Sequence, residues 1–175
     1  LVEAARAPDC PYEVALVASD KPEAEGLAWA AEQGVATFAQ SPRGMAKAEY
    51  EARIDAALRE AGVEAIALAG YMRLLSDDFV ARWRGRILNV HPSLLPKYKG
   101  LDTHARAIEA GDSHGGVSVH IVTEELDGGE VLGQAEVAIL PGDTAESLAE
   151  RVLKEEHRLY PRIVAEFLCP KNLQG

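Results

Sequence analysis

Val63-Glu64-Ala65-Ile66-Ala67-Leu68-Ala69 and, after an intervening segment, Arg86-Ile87-Leu88-Asn89-Val90-His91 are the stretches on which the fold turns. The first is a near-continuous apolar run, which predicts a strand buried on both faces, as in a parallel sheet covered by helices. Between the two, Ser76-Asp77-Asp78 can cap a helix running to about Arg84 and stopped by Gly85. Strand, helix and strand in this order predict a crossover unit and a parallel pair.

The pattern extends in both directions. Upstream, residues 12–18 read as a strand and residues 23–33 as a helix, with Asp20 as N-cap, Pro22 in the first turn and Gly34 at the end. Residues 35–39 make a short strand. Residues 46–61 make a longer helix with Tyr50, Ile54, Ala57, Leu58 and Ala61 on one face. Downstream lie a short helix over 103–110 and two strands, 116–123 and 131–140, joined by a turn that predicts antiparallel pairing. Asp143-Thr144 caps a last helix to about Leu159, and Pro161 either kinks it or begins another one ending near Leu168. The sum is a single α/β domain over 1–175, Rossmann-like, with a mostly parallel sheet, flanking helices and antiparallel strands near its C-terminal part. A doubly wound domain normally opens with a strand and a glycine-rich turn. Here residues 1–7 read as the tail of a helix, and neither G-x-G-x-x-G nor G-x-x-x-x-G-K-[ST] occurs. The expectation is an N-terminally incomplete domain, its first strand and phosphate-cradling loop standing upstream of Leu1.

Composition narrows the class. The 175 residues are 47% hydrophobic and 26% charged, with a formal net charge of −10, a mean hydropathy of −0.10 and an isoelectric point near 5.0. That balance speaks against a nucleic-acid partner, whose binding begins with attraction to phosphates. No run is long and apolar enough to span a membrane, so no membrane partner is expected. Cys10 and Cys169 lack metal-ligand spacing and read as reduced thiols of a cytoplasmic protein. A homodimer is left open.

Chemistry concentrates in four residues. Asn89 and His91, two apart on a strand, point to one face, and the prolines at 92 and 96 end that strand. An amide donor beside a titratable ring suits a developing oxyanion. His120 lies on a later strand, and Asp127 opens the Asp127-Gly128-Gly129 turn, whose glycines suit close backbone approach to a ligand. A nearby aspartate would favour the protonated imidazole and raise its pKa. Taken singly, an Asn-x-His pair also fits a structural polar contact, and the turn a plain hairpin connection. His104 and His114 read as surface residues, and His157 as part of a solvated helix face. With no His-x-x-x-His or cysteine cluster, no metal is expected. Ser93 and Ser118 lack the context of a nucleophilic serine.

Read together, Asn89-Val90-His91-Pro92-Ser93-Leu94-Leu95-Pro96, Lys97-Tyr98-Lys99-Gly100, His104, Gly116-Val117-Ser118-Val119-His120 and Leu126-Asp127-Gly128-Gly129 resemble the folate-dependent formyltransferases. Adding Ala69-Gly70-Tyr71-Met72-Arg73-Leu74-Leu75 and Glu156-His157-Arg158-Leu159-Tyr160-Pro161 makes the resemblance closest to the phosphoribosylglycinamide formyltransferases of purine synthesis, from Leu1 to about Pro161. The resemblance implies formyl transfer from 10-formyltetrahydrofolate, a co-substrate, to the amine of 5-phosphoribosylglycinamide. Asn89, His91 and Asp127 are its implied catalytic residues, with Asn89 and His91 on the oxyanion and Asp127 raising the His91 pKa and assisting proton transfer. Lys47, Met72, Arg73, Leu74, Leu75 and Val80, with Asn89 and Asp127, are the implied folate contacts. Lys47 stands where the family often has arginine, keeping the charge without the bidentate fork. Gly70, Met72, Pro92 and Glu156 are the implied contacts to the glycinamide substrate, and Ser118, His120, Gly128 and Gly129 support the site.

Formyltetrahydrofolate hydrolase shares the Asn, His and Asp, but usually differs after the histidine. Methionyl-tRNA formyltransferase would need a further domain and a basic surface. A folate-binding module without catalysis is the non-enzyme alternative.

Overall fold

The computed structural model describes residues 1–169. A short 3-10 turn, Ala4–Arg6, stands where a helix tail was expected. The elements that follow are β1 (Val17–Ser19), α1 (Glu25–Glu32), β2 (Thr37–Ala39), α2 (Lys47–Glu60), β3 (Ile66–Leu68) and α3 (Asp77–Arg82). After them come β4 (Ile87–His91), α4 (Thr103–Glu109), β5 (His114–Ile121), β6 (Val131–Ala138) and α5 (Ala145–Phe167). The crossover read from the sequence is present, because β3 and β4 pair in parallel through α3. β1 and β2 form a second parallel pair. β5 and β6 are antiparallel as expected, and β4 also runs antiparallel to β5. The antiparallel share thus reaches one strand further than the turn chemistry indicated. The strands fall into two sheets, β1-β2 and β3-β4-β5-β6, that share no ladder.

Strand periodicity sorts β4 and β5 into two faces. Leu88, Val90, Val117 and Val119 point one way and bury against Leu148, Val152, Leu159, Tyr160, Ile163 and Val164 of α5. That helix carries its apolar stripe at three- and four-residue spacing. It starts with a capping box, Thr144 Oγ1 accepting from Ser147 N at 3.2 Å and Ser147 Oγ from Thr144 N at 3.0 Å. It runs through Pro161 as one helix, which settles the choice that proline left open. On the opposite face Ile87 packs with Leu58 of α2 and with Phe79 and Trp83, at and beside α3. Beyond Ile87 the same face carries Asn89 and His91.

Three expectations fail in the first half. The 63–69 run is not buried on both faces: in β3 Ile66 and Leu68 are half-buried and Ala67 is exposed. β3 is the edge of its sheet, flanked only by β4, so its apolar content is shielded on one side. Asp20 does not cap α1; Ala24 holds that position with no side-chain cap. Of the 12–18 run only Val17 and Ala18 lie in the strand, which goes on to Ser19. Gly34 does end α1, with φ +77°.

Candidate active site

The antiparallel ladder assembles what the sequence scattered. His120 of β5 lies directly opposite Asn89, and Ser118 lies opposite His91. Gln134 of β6 lies opposite Ser118. Cross-strand partners share a face, so one row is Asn89–His120 and the next is His91–Ser118–Gln134.

Asp127 reaches these rows from the turn after β5. It sits at φ +49°, a left-handed conformation that aspartate tolerates better than most residues. Two residues on, a Cβ at Gly129 would lie 1.8 Å from the Ile121 carbonyl oxygen, so that position admits only glycine. The close approach expected of these glycines is therefore made to the protein's own strand. It folds the turn back and places the Asp127 carboxylate between two rings, 3.5 Å from His91 Nδ1 and 3.6 Å from His120 Nε2. The side chains of His91 and Asp127 are each 7% exposed.

Hydrogen bonding sets the donors. His120 Nδ1 donates to the Ile121 carbonyl at 3.0 Å, so in the neutral ring Nε2 accepts the Asn89 amide N–H at 3.3 Å. Burial pushes the His120 pKa down, aided by His91 and opposed by the Ile121 carbonyl and by Asp127. A neutral His120 thereby holds the Asn89 amide with its nitrogen toward the cluster. His91 donates from Nε2 to the Tyr98 carbonyl at 2.9 Å, which leaves Nδ1 toward Asp127. A ring carrying both protons would offer an N–H to each of these oxygens.

The loop after His91 is tied down at both ends. Ser118 Oγ donates to Ser93 O at 2.6 Å and accepts from Leu95 N and from Gln134 Nε2, at 3.0 and 2.8 Å. Thr103 Oγ1 donates to Pro92 O at 2.6 Å. At the far end Gly100 N donates to Asp127 Oδ2 at 2.8 Å, and Lys99 pairs with Glu125 at 2.8 Å. Ser93 itself donates to Lys97 O at 2.6 Å, a structural role.

The second group of expected residues lies beside this cluster. Leu68 is opposite Asn89 in the β3–β4 ladder, so the chain from Gly70 (φ +64°) leaves the sheet next to it. Met72 and Leu74 are 75% and 66% exposed, whereas Leu75 packs against the Trp83 cluster. The Arg73 guanidinium lies 5.4 Å from the centre of the Tyr50 ring. Val80 is buried on α3 and presents almost no surface of its own. Lys47 is exposed in the first turn of α2, one turn before Tyr50. Pro92 is half-buried directly after His91. Glu156 is half-buried on α5, one turn before Tyr160, whose hydroxyl donates to the Leu68 and Leu88 carbonyls at 2.8 and 3.3 Å. Burial pushes the Glu156 carboxyl up, with His157 opposing.

His104 departs from the surface reading. It is half-buried, its Nδ1 has no hydrogen-bond partner, and burial followed by the charge of His91 pushes its pKa down. It lines a cavity of about 10 Å³ with Ser93, Tyr98 and Thr103. The sequence reading also missed Gln134, the Tyr98 carbonyl and Glu51. Gln134 had a signal, as a polar residue opposite Ser118. A backbone carbonyl has none. Among the described residues no group of three or more His, Cys, Asp or Glu could hold a metal ion, and no helix is long and apolar enough to cross a membrane.

A strand pair presenting an amide, two imidazoles and a carboxylate, beside an exposed apolar loop at the ends of parallel strands, matches a known architecture. Residues 1–164 match the formyl transferase family, and the chain belongs to it. The likeness narrows to one branch, the phosphoribosylglycinamide formyltransferases. The chain is 40% identical over 168 residues to that of Haemophilus influenzae, covering 95% of this chain and 79% of the relative. It superposes on the crystal structure of the Brucella melitensis phosphoribosylglycinamide formyltransferase with a TM-score of 0.91 and 52% identity, covering 97% of this chain and 88% of that one. It is also 46% identical over 154 residues to the trifunctional purine biosynthetic protein adenosine-3 of Drosophila melanogaster. That match covers 87% of this chain and 11% of the longer protein, so the chain spans a small part of that relative.

Proposed function

We propose that this protein transfers the formyl group of 10-formyltetrahydrofolate to the amine of 5-phosphoribosylglycinamide, in the cytoplasm, as a step of purine synthesis. The observation that carries the reading is the Asn89–His120–Asp127–His91 cluster on one face of β4 and β5. Its family and the names of its relatives support the choice of substrates.

In this reading the amine attacks the formyl carbon and a tetrahedral oxyanion forms. The Asn89 N–H that is not spent on His120 donates to that oxygen. His91 is the second donor, and its Nε2–H must pass from the Tyr98 carbonyl to the oxyanion. Asp127 accepts the proton that leaves the attacking amine; collapse of the tetrahedral adduct breaks the bond between the formyl carbon and the folate nitrogen, which takes up that proton. Met72 and Leu74, apolar and exposed, are covered by the pterin ring, with Arg73 and Leu75 shaping the same wall. Lys47 meets the glutamate tail, and Glu156 the ribose of the glycinamide substrate. That residues 1–175 form one formyltransferase domain belongs to the same proposal.

The test is release of tetrahydrofolate by the purified protein with both substrates and with each alone. Release that requires both supports the reading. Release without the amine identifies a hydrolase instead.

A further inference from the structure

The Gly70-to-Ser76 loop carries no regular secondary structure, yet several of its side chains have defined places. Met72 and Leu74 face solvent, Leu75 packs inward, and Arg73 and Ser76 are both held by α2. The two grips come from consecutive helix residues. The Tyr50 ring carries the Arg73 guanidinium. Glu51, 3% exposed, accepts from Ser76 N at 2.7 Å through one oxygen and from Ser76 Oγ through the other. The Ser76 hydroxyl in turn accepts from Phe79 N at 3.1 Å and caps α3. A buried carboxylate is costly to keep unless its oxygens are hydrogen-bonded. Both oxygens of Glu51 are spent on a single residue, the one that ends the loop.

We infer that Glu51 is a positioning residue for the folate site. It fixes the end of the loop so that Met72 and Leu74 stand outward in the conformation that meets the pterin ring. The inference rests on the reading of this loop as the folate wall. Glu51 touches none of Asn89, His91, His120 or Asp127, so its loss acts on folate binding and leaves the formyl-transfer centre in place. With Glu51 replaced by alanine, Ser76 N and Oγ lose their acceptor, and the loop must be ordered at the moment of binding. Glutamine keeps an oxygen for Ser76 N and an amide N–H for the hydroxyl, so it restores the tie.

Steady-state kinetics with 10-formyltetrahydrofolate and glycinamide ribonucleotide test this on the full chain. For Glu51→Ala the expected result is a KM for the folate raised about tenfold, with kcat and the KM for the ribonucleotide within about twofold. Glu51→Gln should return the folate KM to within about threefold of the parent. Should the alanine variant not fold, Ser76→Ala keeps the backbone N–H and removes the hydroxyl, and should raise the folate KM about threefold with kcat unchanged. The inference is overturned if Glu51→Ala leaves the folate KM within twofold. It is equally overturned if kcat and both KM values worsen together, or if Glu51→Gln behaves like alanine. Absence of turnover in the parent protein is a different failure, that of the proposed function.

Discussion

The two halves of this molecule are built to different tolerances. β4 and β5 are five and eight residues long and buried along almost their whole length, clamped between α5 and the helices beneath Ile87. β1, β2 and β3 are three residues each and are half-buried or exposed throughout. The four residues that would carry the chemistry all belong to the firm half. The loop that would hold folate, with Lys47, belongs to the loose half and depends on ties such as Glu51. Reacting groups must be held to fractions of an ångström. A binding wall that closes on its ligand tolerates more movement. In the proposed reading, chemistry and recognition fall to separate parts of the molecule.

The comparison can be broken hardest in the firm half. Asn89→Ala and Asp127→Ala should each cut kcat by about 100-fold or more, the scale seen when one oxyanion donor is removed, with folate affinity changed by no more than about threefold. Equal losses of affinity and turnover would make these residues part of the binding wall and erase the division. Gly129→Ala should follow. Its new Cβ collides with backbone rather than with a side chain that can move, so unfolding by urea should show a loss of about 2–4 kcal/mol. Unchanged stability would mean that the turn is not anchored as described.

The loose half should answer more mildly. Met72→Ala or Leu74→Ala should raise the folate KM about three- to tenfold while shifting stability by less than about 0.5 kcal/mol, because neither side chain is packed. Amide hydrogens of β1 and β2 should exchange about 100-fold faster than those of β4 and β5. Comparable protection would mean that the two halves open as one unit.

A pH effect sharpens the contrast further. His120 and His104 are held neutral by burial, below the usual value of 6.5. As pH falls below about 6.5 the unfolded chain takes up these protons while the folded one does not. Stability that is present above that pH is therefore lost on acidification. Thermal unfolding between pH 7 and pH 5 should show this drop, and His120→Gln should flatten it. A parent protein that gains stability over that interval would contradict the neutral ring that orients Asn89.

Much of this division was legible beforehand. The Asn89–x–His91 spacing placed both side chains on one face, and the ladder kept them there. The turn glycines marked Asp127, and the αβ alternation marked the crossover through α3. What stayed hidden depends on partners distant in sequence. The burial of the 63–69 run hinged on β3 being an edge, which no local pattern declares. Glu51 carries no local signal, because its acceptor role exists only once Ser76 arrives 25 residues later. His104 seemed exposed because a small polar-flanked helix gives no sign that its first turn is tied, through Thr103, to the Pro92 carbonyl.

The central claim is that the rows of β4 and β5 move a formyl group between two bound partners. The most direct measurement follows tetrahydrofolate formed from 10-formyltetrahydrofolate by the parent protein and by Asn89→Ala, with and without glycinamide ribonucleotide. The account predicts product only when the amine is present, and a loss of about 100-fold or more in the variant. Product that forms equally without the amine, or a variant as fast as the parent, would contradict it.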